Sequence, residues 1–242
     1  SRRGLPPTFV TIPPGGSSGN NPKRLRGRPG FVVVRRPREE TPKGREERGG
    51  EPVAFDTMVY QKSEIQRIAR VAFTAAMARD KRLCSVDKAN VLQNSVLWRQ
   101  TVIEVSKEYP EVELSHLYVD NAAMQLIKQP GSFDVIVTGN LFGDILSDLG
   151  PATTGTIGIA PSANLNPERA FPSLFEPVHG SAPDIYGKGI ANPIGQVWSG
   201  AMMLEFLGDG APSYRAAHDL IFTAIEETLK TGPHTPDLGG QA

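Results

Sequence analysis

Phe133-Asp-Val-Ile-Val-Thr-Gly-Asn-Leu-Phe-Gly-Asp-Ile-Leu-Ser-Asp148 decides the fold class of this 242-residue chain. Phe133–Thr138 is a short apolar run, rich in β-branched residues, and predicts a strand buried on both faces. Asn140–Leu149 then predicts a helix. In that helix Asp144 and Asp148 stand four residues apart, so both carboxylates fall on one face. A buried strand feeding a helix that carries paired carboxylates points to an α/β protein with a site beside the strand end.

The pattern repeats outward from this unit. Phe31-Val-Val-Val34 reads as a buried strand, Arg36–Gly50 as a polar loop, and Phe55–Tyr60 as strand-like. Ser63 is a plausible N-cap, and Ile65, Ile68, Ala69, Ala72, Phe73 and Ala76 follow at helical spacing. Leu83-Cys-Ser-Val86 predicts a strand and Ser95–Tyr109 an amphipathic helix. Leu114–Val119 predicts a strand running into Asp120-Asn121 and a short helix ending near Lys128. Residues 191–207 and 213–230 predict two more helices. Residues 1–30, with Pro13-Pro14-Gly15-Gly16 and Ser17-Ser18-Gly19-Asn20-Asn21, read as low-complexity linker chemistry and are expected to be disordered.

Composition narrows the function classes. Net charge is zero, which argues for neither a nucleic-acid nor a membrane partner. The first fifty residues are nevertheless basic, with twelve Lys and Arg against four Glu. Nucleic-acid binding through Lys23–Arg28 is disfavoured because no aromatic residues are interleaved for base stacking. Cys84 is the only cysteine, so no intrachain disulfide forms, and a reducing, cytoplasmic setting is expected. Cys84 reads as a small buried hydrophobe. No apolar stretch approaches a membrane span, and the N-terminus lacks the apolar core of a secretory signal.

The candidate chemistry lies in four places. Mg²⁺ or Mn²⁺ takes hard oxygen ligands, a few carboxylates completed by substrate and water. Asp144, Asp148 and the strand-end Asp120 supply such oxygens. An Asp early in a helix also serves as a cap or dipole partner, and spacing alone leaves both readings open. Lys88, in Ser85-Val-Asp-Lys-Ala-Asn90, reads alone as a surface lysine; next to a metal and other cations it could act as a base. His179-Gly-Ser-Ala-Pro-Asp-Ile185 offers small residues for close backbone approach and an acid for ribose hydroxyls, and reads equally as an ordinary turn with a capping Asp. It is not GxGxxG.

Taken together, these segments resemble the β-decarboxylating dehydrogenase family, which includes 3-isopropylmalate, isocitrate, homoisocitrate, D-malate and tartrate dehydrogenases. The resemblance runs from about Phe31 to the C-terminus. It implies a two-lobed α/β fold of the isopropylmalate dehydrogenase kind, incomplete at the N-terminus. Residues 31–154 would form the substrate and dimerisation lobe, and residues 155–242 the cofactor lobe. Asp120, Asp144 and Asp148 would hold Mg²⁺ or Mn²⁺. Lys88 would be the base, Asn90 would help place substrate and nicotinamide, and Arg35 would grip a malate carboxylate. His179, Gly180, Ser181, Ala182, Asp184, Ile185 and Asn192 would bind the adenosine end of NAD, with Asp184 disfavouring NADP. The implied assembly is a homodimer with shared sites, Lys88 and Asp120 reaching in from the neighbouring subunit.

Within the family, Ser85–Asn90, the Glu113–Val119 strand and Val119–Leu126 resemble 3-isopropylmalate dehydrogenases. Ala160–Arg169 and Phe171–Phe175 resemble D-malate or tartrate dehydrogenases. The implied reaction is NAD-dependent oxidative decarboxylation of 3-isopropylmalate to 4-methyl-2-oxopentanoate, in leucine biosynthesis, with D-malate or tartrate oxidation as the alternative. The chain departs from the family at its front. It lacks about the first third of a family member, including the helix that selects the substrate side chain. Where the family places its catalytic tyrosine after Arg35, Arg36-Pro-Arg-Glu-Glu40 stands instead, and the next tyrosine is Tyr60. A truncated or frame-disturbed gene accounts for this, and a non-catalytic remnant is the third reading.

Overall fold

The computed structural model describes residues 8–11, 32–35 and 43–242, the first two segments and Lys43 as backbone alone. One seven-stranded sheet runs in the order β6-β5-β7-β2-β1-β8-β9. Its strands are β1 (Thr8–Thr11), β2 (Val32–Arg35), β5 (Arg82–Asp87), β6 (Glu113–Tyr118), β7 (Val135–Thr138), β8 (Pro161–Asn164) and β9 (Leu174–Pro177). Neighbours pair in parallel except β8 and β9, which are antiparallel. The helices are α1 (Lys62–Met77), α2 (Gln93–Ser106), α3 (Val119–Lys128), α4 (Asn140–Ala152), α5 (Ile194–Gly208) and α6 (Pro212–Thr231).

The strand alternation sorts side chains to two helix layers. Leu83, Val135 and Val137 join Ile65, Phe73, Trp98 and Val102 of α1 and α2 on one face. Cys84, Val86 and Ile136 join Ala122 and Leu126 of α3 and Leu146 of α4 on the other. Both faces are covered, which is why β7 is a continuous apolar run. A third cluster packs Ala163 of β8 against Trp198 and Met202 of α5 and Ile225 of α6. No helix of the described residues is long and apolar enough to cross a membrane.

Several local expectations are corrected. Thr8-Phe-Val-Thr11 forms β1, although it lies in the stretch read as linker; its β-branched residues suit a short strand flanked by β2 and β8. The remainder of residues 1–30 lies outside the described residues, as does Arg36–Glu40. Lys43–Arg48 (β3) is a strand, not a loop. It pairs antiparallel with β4 (Glu51–Asp56) in a separate two-stranded ribbon. Gly49 and Gly50 both have positive φ, 60° and 83°, as a two-residue hairpin turn requires. Charge masks the strand because the described ribbon residues are mostly exposed, with no core face to impose alternation. The α1 N-cap is Gln61, whose backbone N–H donates to Glu64 Oε2 at 2.7 Å, and Ser63 lies inside the first turn.

Cys84 is buried. Burial, above all, pushes its thiol up to about 11; a hydrogen bond with Ser115 opposes this, and the Asp87 charge adds to it. The folded chain should therefore resist iodoacetamide at about pH 8, where thiolate is the reactive form. Labelling at the rate of the urea-unfolded chain would contradict a β5 sealed between helix layers. Between 9.0 and about 11 only the unfolded thiol is ionised, so this group lowers stability as pH rises through that window.

Candidate active site

The C-terminal ends of parallel strands are where α/β sheets present ligand sites. Here β2, β7, β5 and β6 end together. Arg35 is in register with Thr138, Val86 with Thr138, and Asp87 with Tyr118. Three of these strand ends lead into predicted site residues, Arg35 itself, Lys88 after β5, and Asp120 in the first turn of α3, and β7 leads into α4, which carries Asp144 and Asp148.

Lys88 and Asp120 come together. Lys88 Nζ donates to Asp120 Oδ1 at 2.5 Å, with the lysine side chain 25% exposed and the aspartate 61%. The Lys88 ammonium, through this hydrogen bond first, holds the Asp120 carboxyl below the usual carboxylate range. Beneath the pair lies Asp87, only 2% exposed. It accepts the Ala89 N–H at 2.9 Å and both arms of Arg99, at 2.8 and 3.0 Å. The Arg99 guanidinium in turn lies 4.8 Å from the centroid of the Tyr118 ring. Asp87 thus ties the turn carrying Lys88 to the strand end carrying Asp120. Burial, and next the Arg99 charge, lower the pKa of neighbouring His116, against the pull of Asp87. Asn90 is exposed in the same turn as Lys88.

Asp144 and Asp148 are both exposed on α4, one helical turn apart. Their donor chemistry fits a hard divalent cation. Within the chain, however, no group of three or more His, Cys, Asp or Glu is arranged to hold a metal among the described residues. The three aspartates do not converge in one copy. The start of α4 is held by Tyr60, whose hydroxyl accepts the Asn140 N–H at 2.9 Å. A Cβ at Gly139 would lie 2.7 Å from that hydroxyl oxygen, so this approach requires glycine.

The predicted cofactor segment follows β9. Gly180, Ser181, Ala182 and Asp184 are exposed, while His179 and Ile185 are partly buried. His179 Nδ1 lies 2.9 Å from the Gly180 carbonyl oxygen. Ala182 has φ of 42°, the left-handed region, and opens a 3₁₀ turn over Pro183–Ile185. Asn192 is set apart from this open loop. Its Nδ2 donates to Asp237 Oδ2 at 3.0 Å, and its Oδ1 accepts the Ile194 N–H at 3.0 Å. The small residues and exposed backbone suit a ligand laid along the loop.

Asp87, Arg99 and Asp237 were missed in the sequence reading. A buried carboxylate needs a partner, and Asp87 ends an apolar strand, so that signal existed. Its partner twelve residues on, and the partners of Asp237, are tertiary contacts that no local pattern encodes.

A family model described as isocitrate/isopropylmalate dehydrogenase matches residues 11–242. The 3-isopropylmalate dehydrogenase of Haemophilus influenzae (strain 86-028NP) is 57% identical over 197 residues, covering 81% of this chain and 53% of that protein. The D-malate dehydrogenase [decarboxylating] of Escherichia coli (strain K12) is 54% identical over 192 residues, 78% of this chain and 53% of that protein. The crystal structure of isocitrate dehydrogenase from Methylococcus capsulatus superposes with a TM-score of 0.78 at 40% identity, over 86% of this chain and 61% of that one. The chain spans about half the length of these curated relatives.

Proposed function

The chain belongs to the isocitrate/isopropylmalate dehydrogenase family, and from that membership we propose that it carries the catalytic half-site of an NAD-dependent, metal-assisted oxidative decarboxylation of a 2-hydroxy acid. The observation that carries this reading is the Lys88–Asp120 pair at the sheet edge, braced by buried Asp87 and its half-buried partner Arg99. Lys88 Nζ, relieved of Asp120 and having given one proton to solvent, takes as a neutral amine the proton of the substrate hydroxyl as hydride leaves that carbon for NAD. Arg35, at the end of β2, holds the malate carboxylate, and Asn90 orients substrate against nicotinamide. The loop from His179 to Ile185 and Asn192 receive the adenosine end, Asp184 accepting from ribose hydroxyls and repelling a 2′-phosphate. A divalent cation would be held by Asp144 and Asp148 with Asp120 from a second copy, and would supply Lewis-acid stabilisation of charge on the substrate oxygens.

A homodimer follows from this assignment. The exposed ribbon β3–β4 supports it, as do the exposed apolar side chains Met124 and Ile127 on α3 and Leu141 and Ile145 on α4. In this reading residues 31–154 are the substrate and dimerisation lobe and 155–242 the cofactor lobe. The substrate we assign is 3-isopropylmalate, supported by the Ser85–Asn90 and Val119–Leu126 stretches and by relatives such as that of H. influenzae. D-malate or tartrate is the alternative, supported by Ala160–Arg169 and by the E. coli relative at 54% identity.

A second, non-catalytic reading has its own observation. No tyrosine stands between Arg35 and Tyr60, and the Tyr60 hydroxyl is engaged at the start of α4. One assay separates the readings. Purified chain with Mn²⁺, NAD and each hydroxy acid in turn is followed by NADH absorbance. We expect NADH with 3-isopropylmalate before D-malate or tartrate. Preference for D-malate overturns the substrate assignment, and silence with all three favours the non-catalytic reading.

A further inference from the structure

Two segments remote in sequence, with the adjacent Thr235, converge on one carboxylate, Asp237, in a 3₁₀ turn at Pro236–Leu238. Thr156 Oγ1 donates to Asp237 Oδ2 at 2.6 Å, and Asn192 Nδ2 donates to the same oxygen at 3.0 Å. Thr235 Oγ1 donates to Asp237 Oδ1 at 2.5 Å. Thr156 Oγ1 also accepts the Gly158 N–H at 2.9 Å, and Gly158 O accepts the Gly195 N–H at 3.0 Å. The knot tolerates no added bulk: a Cβ on Gly158 would lie 2.7 Å from Asp237 Oδ2, and one on Gly195 would lie 2.9 Å from Gly158 O.

The arrangement fixes the Asn192 amide. Its nitrogen faces a carboxylate and its oxygen faces the Ile194 N–H. A flipped amide would set oxygen against carboxylate and N–H against N–H, losing both bonds. One N–H of Nδ2 remains to be offered in a set direction. We infer that Asp237 is a positioning residue for the adenosine end of the dinucleotide, locking the Asn192 amide and clamping the C-terminal turn onto residues 156–158; this rests on Asn192 being a cofactor contact. Burial works to raise the Asp237 pKa, yet the bonds from Thr156, Thr235 and Asn192 outweigh it and hold the carboxyl below its usual range. The clamp therefore stays charged at neutral pH.

The test uses the full chain, with ADP-ribose and nicotinamide mononucleotide as probes in calorimetry and amide hydrogen exchange as a ligand-free readout. Asp237→Asn keeps the shape and removes the charge. It should weaken ADP-ribose binding about tenfold, leave nicotinamide mononucleotide unaffected, and speed exchange at the Gly158 and Ile194 amides. Thr156→Val should move the same readouts in the same direction, and Thr156→Ser, which keeps the hydroxyl, should restore them; this pair carries the test if Asp237→Asn does not fold. Unchanged ADP-ribose affinity, or an equal loss for both probes, overturns the inference. If the unaltered chain binds no ADP-ribose, the cofactor reading itself has failed and the nucleotide role of Asp237 falls with it. Faster Gly158 exchange in the variant would then still identify a clamp, one of purely structural purpose.

Discussion

Lys88→Ala is expected to lower the rate of NADH formation by about 10²- to 10⁴-fold, the usual contribution of a positioned general base. The loss should appear in kcat, because the proton is transferred only in the reacting complex. Lys88 is held at the sheet edge by Asp120 at 2.5 Å, and its turn is fixed by Asp87 through the Ala89 N–H. Alanine removes the amine without disturbing Asp87, which is satisfied by Arg99. The Mn²⁺ dependence expected of the proposed site serves as an internal control. Removing a cation beside Asp120 cannot weaken that carboxylate for another cation, so half-saturating Mn²⁺ should not rise. Activity within a few-fold of the unaltered chain would remove Lys88 from the role of base. A rate loss accompanied by much weaker Mn²⁺ dependence would point to a disordered site instead.

The largest stability effect is expected at Asp134. Its carboxylate accepts from Arg79 Nε at 2.7 Å and from the Asp80 N–H at 3.0 Å. The two side chains are 5% and 3% exposed. The pair joins the chain just after α1 to the residue before β7, the strand flanked by β5 and β2. Asp134→Ala removes one member of a buried ion pair that accepts from both Arg79 Nε and the Asp80 N–H, a loss of about 3–5 kcal/mol. For a chain of this size that lowers Tm by roughly 6–20 °C, read by thermal denaturation. Arg79→Met combined with Asp134→Ala should recover much of the loss, since no buried charge is then stranded. A single variant melting within a degree or two of the parent would show that water reaches the pair.

The alternation of buried strand and helix was legible because β5 and β7 are apolar on both faces, and a run such as Val135-Ile-Val137 has few alternatives. The helices were placed within a few residues at their ends, where capping is set by tertiary contacts: α1 starts beside Gln61, not Ser63. β3 was read as loop because it is charged and faces no core, and the stretch read as strand-like, Phe55–Tyr60, overlaps β4 only at Phe55 and Asp56; the Gly49-Gly50 turn was the ribbon's signal. At the site, Lys88 and Asp120 were legible as strand-end residues, but their 2.5 Å contact spans thirty-two positions and follows from β5–β6 pairing. The brace of Asp87 with Arg99 and the knot at Asp237 depend on burial, which single-sequence spacing does not report.

The sheet order carries a consequence for how the molecule holds together. The strands β6, β5 and β7 lie on one side of β2 and β1, and β8 and β9 on the other. Two four-residue strands from the front of the chain are thus the span between two blocks formed by later residues. Thr8–Thr11 pairs with residues 162–164, a contact of very high sequence separation, so closure of the sheet is entropically late and slow in folding. Each outer block keeps its own apolar cluster. Opening at β1 and β2 would leave the two blocks joined by Leu165, which packs against both clusters, and by the Arg67–Glu168 ion pair, so native-state exchange should separate their amides only where those contacts open too. Two short front strands and the side-chain contacts beside them together govern whether the whole melts as one.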